Sequence, residues 1–297
     1  MIGNSKGLVS VIIPNHNYGK YVGKAIESVL AQSYKNIEII VIDNGSTDDS
    51  RNVILSYEGK IRFHFQNDLG QAESRNTGLK MASGSYIAFL DADDLWHEEK
   101  IAKQIQQISS VMELVFTRVG AFRENTSHIL MTLPITVKNR FKDAYIESPN
   151  VGIVPAGESS VLLTRELANK VGYFDNHLGS ATGRDYFRRC SEKTDFGVIE
   201  ETLAYYRLHA NNMSKNIDYM LNNSLNAHKK ALRERMSDLS YSQVTFSLWA
   251  IYWSSLKSKA AIHEYFGAVT YLFKFIGIQS KLTYMWWFAG AKVNCLT

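Results

Sequence analysis

The sequence contains few of the residues that cross-link or anchor a chain. It has two cysteines and four prolines in 297 residues. Cys190 and Cys295 lack partner ligands at the spacing of a metal site, and two thiols do not form a disulfide framework. The N-terminus lacks the basic start, long apolar stretch and small-residue cleavage site of a signal peptide. We therefore expect a cytoplasmic protein in a reducing compartment.

Long apolar runs and a strong net charge are also missing. No run of 18 or more apolar residues is present, so a transmembrane helix is not expected. The formal net charge of +4 is too small to indicate binding to nucleic acid.

The C-terminal tail lacks acidic residues altogether after Glu264, although Lys274, Lys281 and Lys292 remain. The same tail contains aromatic-rich apolar stretches such as residues 285–289 (MWWFA). Apolar helices flanked only by lysine are typical of segments that lie in an anionic membrane interface. The alternatives are helices packed on the rest of the protein, or a homodimer interface.

Phosphate-binding glycine loops are absent as well. The first predicted strand, residues 8–14, is followed by Asn15-His16-Asn17, without G-x-G-x-x-G or G-x-x-x-x-G-K-[ST]. This disfavours a dinucleotide-binding fold and a P-loop.

Strands and helices alternate through the first 120 residues. Short apolar runs rich in β-branched residues predict buried parallel strands, and apolar residues at helical spacing predict the helices between them. The predicted strands are 8–14, 37–43, 61–65 and 86–90, and the predicted helices are 21–32, 72–81 and 96–112. After the second strand, Ser46 and Thr47 are candidate N-caps of a further helix. This alternation predicts an α/β fold with a mostly parallel central sheet flanked by helices.

The pattern is less regular beyond residue 112. We expect strands at 115–123 and 129–136 as a hairpin or edge strands, a loop at 138–155, and strands at 160–163 and 202–206. Helices are predicted at 165–171 and 183–193, and everything from about residue 218 is predicted to be helical.

Acidic residues follow two of the predicted parallel strands. Asp43 ends the second strand, and Asp91, Asp93 and Asp94 follow the fourth. Ligands of open parallel sheets bind beyond the carboxyl ends of the strands. Carboxylates this close together repel one another unless a cation neutralises them, and Mg²⁺ or Mn²⁺ takes carboxylate and phosphate oxygens together. The segment Asp91-Ala92-Asp93 therefore indicates a platform for a metal and a diphosphate, although a solvated acidic turn is the plainer alternative.

Several ordered segments together resemble the family 2 glycosyltransferases, which have the GT-A fold. These segments are SVIIPNHNYGKYVGKAIESVLAQSY, VIDNGSTDDS and GQAESRNTGLKMASGSYIAFLDADDLW, and the resemblance extends over residues 8–215. It implies a catalytic domain at 1–217, with a donor half at 1–117 and an acceptor half at 118–217. Residues 218–297 would form a helical C-terminal region.

The resemblance implies roles on the donor side. Asp43 and Arg75 take the positions that reach the nucleotide base, and His16 stands where the family often has a stacking Tyr or Phe. Asp91 resembles the carboxylate that contacts ribose or sugar, and Asp93 resembles the metal ligand. The remaining donor-binding positions are Pro14, which shapes the strand exit, Asn17 and Ala92.

On the acceptor side, SATGRDYFRR resembles the segment that holds the catalytic base, which falls on Asp185. The acidic residue usual before it is Arg184 here, a departure that lowers the expected basicity of Asp185 if the two interact. A helix N-terminal carboxylate is the alternative for Asp185. Tyr206, His209, Asn212 and Ser214 resemble the segment that closes over the diphosphate, with His209 binding metal or phosphate or serving a structural role. The Gln-x-x-Arg-Trp motif of processive synthases is absent, which favours transfer of single sugars.

The resemblance thus implies an inverting, metal-dependent glycosyltransferase with Mn²⁺ or Mg²⁺ as cofactor. Its partners would be a nucleotide-sugar donor, with a UDP-sugar as the expected one, and a carbohydrate or lipid-linked acceptor in surface polysaccharide or glycolipid synthesis. The inner face of the cell membrane is the expected site if the tail binds lipid. Two other classes stay open: a sugar-1-phosphate nucleotidyltransferase, although the Gly- and Arg/Lys-rich loop is missing, and a non-catalytic binding relative.

Overall fold

The computed structural model describes residues 7–124, 129–133 and 157–234. The strands of this part are β1 (Val9–Asn15), β2 (Ile37–Asn44), β3 (Arg62–Gln66), β4 (Tyr86–Phe89), β5 (Leu95–Trp96), β6 (Leu114–Phe122), β7 (Met131–Thr132), β8 (Val161–Thr164) and β9 (Phe196–Arg207). The helices are α1 (Gly19–Leu30), α2 (Ser50–Leu55), α3 (Gln71–Met81), α4 (Lys100–Gln107), α5 (Arg165–Val171), α6 (Thr182–Ser191) and α7 (Ile217–Glu234). The strands form one sheet in the order β3–β2–β1–β4–β8–β6–β9–β5, with β7 beside β6.

The first four strands of this order are parallel, as the alternating pattern predicts. β1 is buried along its whole length because helices cover both faces of the sheet. Val11 and Ile13 point into the core that contains residues of α1, and Ile12 points into the opposite core with Phe89. The carboxyl ends of β1, β2 and β4 therefore lie side by side at one edge, which confirms the predicted α/β sheet.

The second half of the sheet is mixed. β8 runs antiparallel to both β4 and β6, whereas β6 and β9 are parallel. β7 pairs antiparallel with β6, which confirms the hairpin pairing. However, β6 lies between β8 and β9 in the interior of the sheet. The alternative that placed it at an edge is therefore wrong.

Two predicted helix boundaries are wrong. The helix expected at 96–112 is shorter in the structure, where α4 covers Lys100–Gln107. Its predicted first residue, Trp96, belongs to β5 and pairs with Ala204 of β9. Ser46 does not cap α2, which begins at Ser50. Its hydroxyl instead donates to Asp43 Oδ1 at 2.5 Å. At Trp96 a distant strand pairing outweighs the local helical pattern, whereas Ser46 bonds to the strand end just before it.

The C-terminal part of the described chain is α7, in agreement with the prediction of a helix from about residue 218. Lys230 on α7 donates to Asp175 Oδ2 at 2.8 Å and so joins this helix to the loop after α5. Within the described ranges, no helix is both long enough and apolar enough to cross a membrane. The predicted loop at 138–155 and the lysine-flanked stretches of the tail lie entirely outside the described residues.

Candidate active site

A cavity of about 590 Å³ opens at the carboxyl edge of the parallel strands. Its wall includes five of the residues singled out from the sequence as donor or metal ligands: Pro14, His16, Asp91, Ala92 and Asp93. Tyr206, Asn212 and Ser214, from the segment expected to close over the diphosphate, also line it. Among the described residues of the wall, four are acidic and none is Lys or Arg; the acidic ones are Asp68, Asp91, Asp93 and Glu158. The cavity therefore carries a surplus of carboxylates.

One wall is built by the ends of β1 and β2. The parallel register sets Asn15 beside Asp43, and Asn15 Nδ2 donates to Asp43 Oδ1 at 2.7 Å. Asp43 is 5% exposed and also accepts hydrogen bonds from Ser46. Asn15 faces the cavity, whereas Asp43 lies behind it and is not part of the wall. Asp43 thus holds Asn15 in place, and its direct contact with a base stays a prediction.

His16 and Asn17 connect the loops that follow β1 and β2. His16 lines the cavity, and its Nδ1–H donates to the carbonyl oxygen of Asn44 at 2.7 Å. Asn17 adopts a left-handed backbone with φ of 57°, and its Oδ1 accepts from the backbone N–H of Thr47 at 2.7 Å. Asn17 therefore fixes the loop geometry and does not line the cavity.

The three carboxylates of the acidic segment after β4 each contact a different side chain. Asp91 Oδ1 accepts from Arg75 Nη2 at 2.8 Å, and Asp93 Oδ2 lies 2.9 Å from His209 Nε2. Asp94 turns away from the cavity and accepts from the Ser159 hydroxyl at 2.6 Å. Burial, together with the neighbouring carboxylates, raises the pKa of both Asp93 and Asp94. An added positive charge would stabilise their ionised forms.

His209 is oriented by aromatic rings and by the end of β9. The Tyr18 and Tyr21 rings lie 5.5 Å and 4.9 Å from the His209 ring between centroids. Arg207, just before it, donates from Nε to the Asp93 carbonyl oxygen at 2.8 Å. These contacts bring the two predicted metal ligands, Asp93 and His209, together although 116 residues separate them. Among the described residues, no group of three or more His, Cys, Asp or Glu side chains forms a ready-made metal site.

Arg75 is fully buried under the cavity floor. Besides Asp91, its guanidinium contacts Glu158, with 3.4 Å between Nη1 and Oε1. Arg75 is not part of the cavity wall, and its contact with a base stays a prediction. The guanidinium of Arg75 holds the carboxylates of Asp91 and Glu158 in place.

Glu158 lines the cavity although the sequence does not single it out, whereas Asp185, the base implied by the resemblance, lies outside the cavity wall. Glu158 lines the cavity from the short 3₁₀ turn Glu158–Ser160, but it follows an unpatterned loop and belongs to no recognised segment. Asp185 is buried, and its side chain is in contact with Arg188, Arg189 and Lys230. It is not part of the cavity wall. The role of catalytic base that the resemblance implies for Asp185 stays a prediction.

Comparison with known proteins agrees with the geometry. An uncharacterized glycosyltransferase of Nostoc sp. is 32% identical over 212 residues, which cover 69% of this chain and 66% of that protein. The putative teichuronic acid biosynthesis glycosyltransferase TuaG of Bacillus subtilis is 43% identical over 108 residues, 35% of this chain and 42% of TuaG. The chain thus spans less than two thirds of the length of these curated relatives.

Two solved structures share the fold at low sequence identity. The Staphylococcus aureus TarS fragment 1–349 in complex with UDP-GlcNAc superposes with a TM-score of 0.56 at 16% identity, over 89% of this chain and 90% of the fragment. The mannosyltransferase PcManGT of Pyrobaculum calidifontis, in complex with GDP-Man and Mn²⁺, gives 0.59 at 16% identity over 87% of this chain and 76% of its own. The family model "Glycosyl transferase family 2" matches residues 10–171, more than half of the sequence. The chain belongs to the family 2 glycosyl transferases.

Proposed function

We propose that the protein transfers a single sugar from a nucleoside-diphosphate sugar to an acceptor hydroxyl, with inversion at the anomeric carbon. The observation that carries this proposal is the cavity at the carboxyl edge of β1, β2 and β4, with its surplus of carboxylates. An anionic diphosphate would be repelled by Asp91 and Asp93 unless a cation accompanies it. The combination is typical of sites that bind a metal–diphosphate unit.

The residues present fit a divalent cation such as Mn²⁺ or Mg²⁺. Asp93 supplies a carboxylate at the cavity wall and His209 an imidazole beside it. Hard divalent ions commonly take one or two protein carboxylates and complete their coordination with substrate phosphates and water. Such an ion would offset the charge that develops on the departing diphosphate.

The donor's nucleotide would lie against the ends of β1 and β2. Asn15 Oδ1 is buried at this wall, and among the described residues it has no hydrogen-bond partner. A buried acceptor without a partner is costly, and an N–H of a nucleobase would satisfy it. The structural likeness to TarS with UDP-GlcNAc supports UDP as the nucleotide.

In the reaction, the acceptor oxygen attacks the anomeric carbon while the bond from that carbon to the diphosphate oxygen breaks. A cavity carboxylate takes the proton of the hydroxyl. One direct displacement inverts the configuration and needs no protein nucleophile.

The proposal includes a division of the chain into a catalytic domain and a C-terminal helical region. Residues 1–217 would form the catalytic domain, and 218–297 a helical region that contacts anionic membrane. A carbohydrate or lipid-linked acceptor for surface polysaccharide is supported by the similarity to TuaG. Binding of the full chain to vesicles of graded anionic lipid content, and its loss in high salt, tests the membrane contact.

A thermal-shift panel of the full chain tests the donor and the metal together. UDP-GlcNAc, GDP-mannose and the free nucleotides are compared with Mn²⁺ and with EDTA. Ligand at about 100 times its Kd stabilises the native state by about 2.7 kcal/mol. We expect a sugar nucleotide to raise Tm only with Mn²⁺. Equal shifts in EDTA would contradict the metal, and pyrophosphate release from a nucleoside triphosphate and a sugar 1-phosphate would favour a nucleotidyltransferase.

A further inference from the structure

Glu158 is a cavity carboxylate without an assigned role. It lines the cavity, yet its side chain is only 17% exposed. It lies immediately before β8, and the next residue, Ser159, donates from its hydroxyl to Asp94 Oδ2 at 2.6 Å. The backbone that carries Glu158 is thus tied to the acidic segment after β4.

Two features hold the Glu158 carboxylate in position. Arg75 contacts Asp91 Oδ1 through Nη2 at 2.8 Å and Glu158 Oε1 through Nη1 at 3.4 Å. On the other side lies Gly183, in the first turn of α6, and a Cβ at Gly183 would overlap Glu158 Oε1. The absence of a side chain at residue 183 therefore leaves the space that the carboxylate occupies. Glu158 is held between the start of α6 and Asp91.

We propose that Glu158 is the catalytic base that takes the proton of the acceptor hydroxyl, with Arg75 as its positioning residue. This inference rests on the proposed glycosyl transfer. As the oxygen–carbon bond to the sugar forms, the hydroxyl proton passes to a Glu158 carboxylate oxygen. The electron pair of the broken bond leaves with the nucleoside diphosphate. Glu158 then returns the proton to solvent.

The surroundings of Glu158 suit this role better than those of Asp185. Burial raises the pKa of Glu158; the Arg75 charge opposes this rise and the Asp91 charge adds to it. These two are the charged groups of the described residues that act on it most strongly. A carboxylate with a raised pKa is a stronger base at neutral pH. Asp185, in contrast, is enclosed by Arg188, Arg189 and Lys230, which compete for its lone pairs.

The test compares Glu158→Gln with the matched control Glu166→Gln, an exposed residue on α5. Nucleoside diphosphate release is measured with the sugar nucleotide that most stabilises the wild type, and UDP affinity with Mn²⁺ is measured in parallel. Loss of a general base typically lowers the rate by a factor of about 10² to 10⁴. We expect Glu158→Gln to lose at least about 100-fold in kcat with UDP affinity retained. The control should behave as wild type.

A pH profile distinguishes a base from a merely structural residue. Wild-type kcat should fall at low pH as the base is protonated, whereas the residual rate of Glu158→Gln should lack this acidic limb. Gly183→Ala, which crowds the carboxylate, should lower kcat while leaving UDP affinity intact.

Three outcomes would overturn the base. One is a Glu158→Gln enzyme that keeps wild-type kcat, and another is a loss of UDP affinity parallel to the loss of kcat. The third is an inactive but stably folded Asp185→Asn, which would return the role to Asp185. If the wild type released no nucleoside diphosphate from any sugar nucleotide, the proposed function would fail together with the base.

Discussion

The carboxylates of the cavity and the carboxylate of Asp185 have opposite surroundings. Asp185 has no exposed side-chain surface and contacts three cationic side chains on α6 and α7. In the cavity, Asp91 and Glu158 share the single guanidinium of Arg75, and Asp93 has His209. The sequence singles out Asp91, Asp93 and Asp185 as site residues, and only the structure shows how different their partners are.

Buried carboxylates therefore serve two different purposes in this protein. Where cations outnumber a carboxylate, the ion pairs join α6 to α7, and removing one partner leaves buried charges uncompensated. Where carboxylates outnumber the cations, the protein leaves negative potential in a cavity. Burial, with a further contribution from the charge of Asp91, raises the pKa of both Asp93 and Glu158. A metal ion, or a proton from a substrate, can relieve this negative potential.

The largest expected effect is the loss of activity in Asp93→Asn. Removing this charge from the cavity weakens metal binding, and loss of one electrostatic contribution to the transition state typically costs about 10² to 10³ in kcat. Tm should be unchanged or raised, because a buried carboxylate with a raised pKa is removed. Turnover with Mn²⁺ and thermal unfolding measure the two effects. Asp195→Asn, at an exposed position, is the control, and full wild-type activity in excess EDTA would contradict the metal role.

Asp185→Asn should show the reverse pattern. Removal of one partner of a buried ion pair typically costs about 3 to 5 kcal/mol, so we expect a loss of about 3 kcal/mol in the free energy of unfolding. The kcat per folded molecule should change little. Urea unfolding and turnover are measured on the same preparation.

Asp175→Asn is the matched variant in that region, because Asp175 contacts the same Lys230 but its side chain is 24% exposed. It should cost about 1 kcal/mol or less. Equal losses in the two variants would remove the proposed distinction between the buried and the partly exposed carboxylate.

His228 on α7 should make the ion-pair region sensitive to acid. Burial, with the nearby charges of Arg184 and Arg188, lowers the pKa of His228 to about 3. The unfolded chain therefore takes up this proton near pH 6.5, whereas the folded chain does not, so stability is full above pH 6.5 and falls as the pH drops towards 3. At pH 5 this residue alone should cost roughly 2 kcal/mol.

The free energy of unfolding of wild type and His228→Gln, compared at pH 7.5 and pH 5, measures this contribution. Cavity carboxylates titrate in both proteins, so the difference between the two pH dependences isolates His228. Identical pH dependences would show that His228 is not buried in its neutral form.

The smallest expected effect on the enzyme's kinetics is that of Asp43→Ala on donor binding. Asp43 holds Asn15 by the 2.7 Å hydrogen bond, and Asn15 is the residue at the wall. Its loss should raise the donor KM about 10-fold, equivalent to about 1.4 kcal/mol, with kcat nearly unchanged. Steady-state kinetics at saturating acceptor measure both constants. A large fall in kcat with KM unchanged would place Asp43 in the chemistry instead.

The elements with strong local patterns could be predicted from the sequence. The apolar strands β1 and β2 and the helix α5 lie where periodicity places them, because strands buried on both faces and capped amphipathic helices follow from neighbouring residues. β9 extends from Phe196, well before the predicted start at residue 202. Its first part is stabilised by pairing with β6, a contact that no local window contains.

The candidate site, like the fold, was predictable from the sequence only in part. By itself, the sequence determined that Asp91 and Asp93 would follow a parallel strand and reach the ligand edge, because the strand's direction places its carboxyl end there. Only the tertiary structure decided that Arg75 and Asp43 lie behind the wall, that Asp185 is enclosed by cations, and that Glu158 enters the cavity. The physical reason is that the surroundings of a carboxylate come from segments far apart in the chain: Arg75 and Gly183 for Glu158, and Lys230 for Asp185.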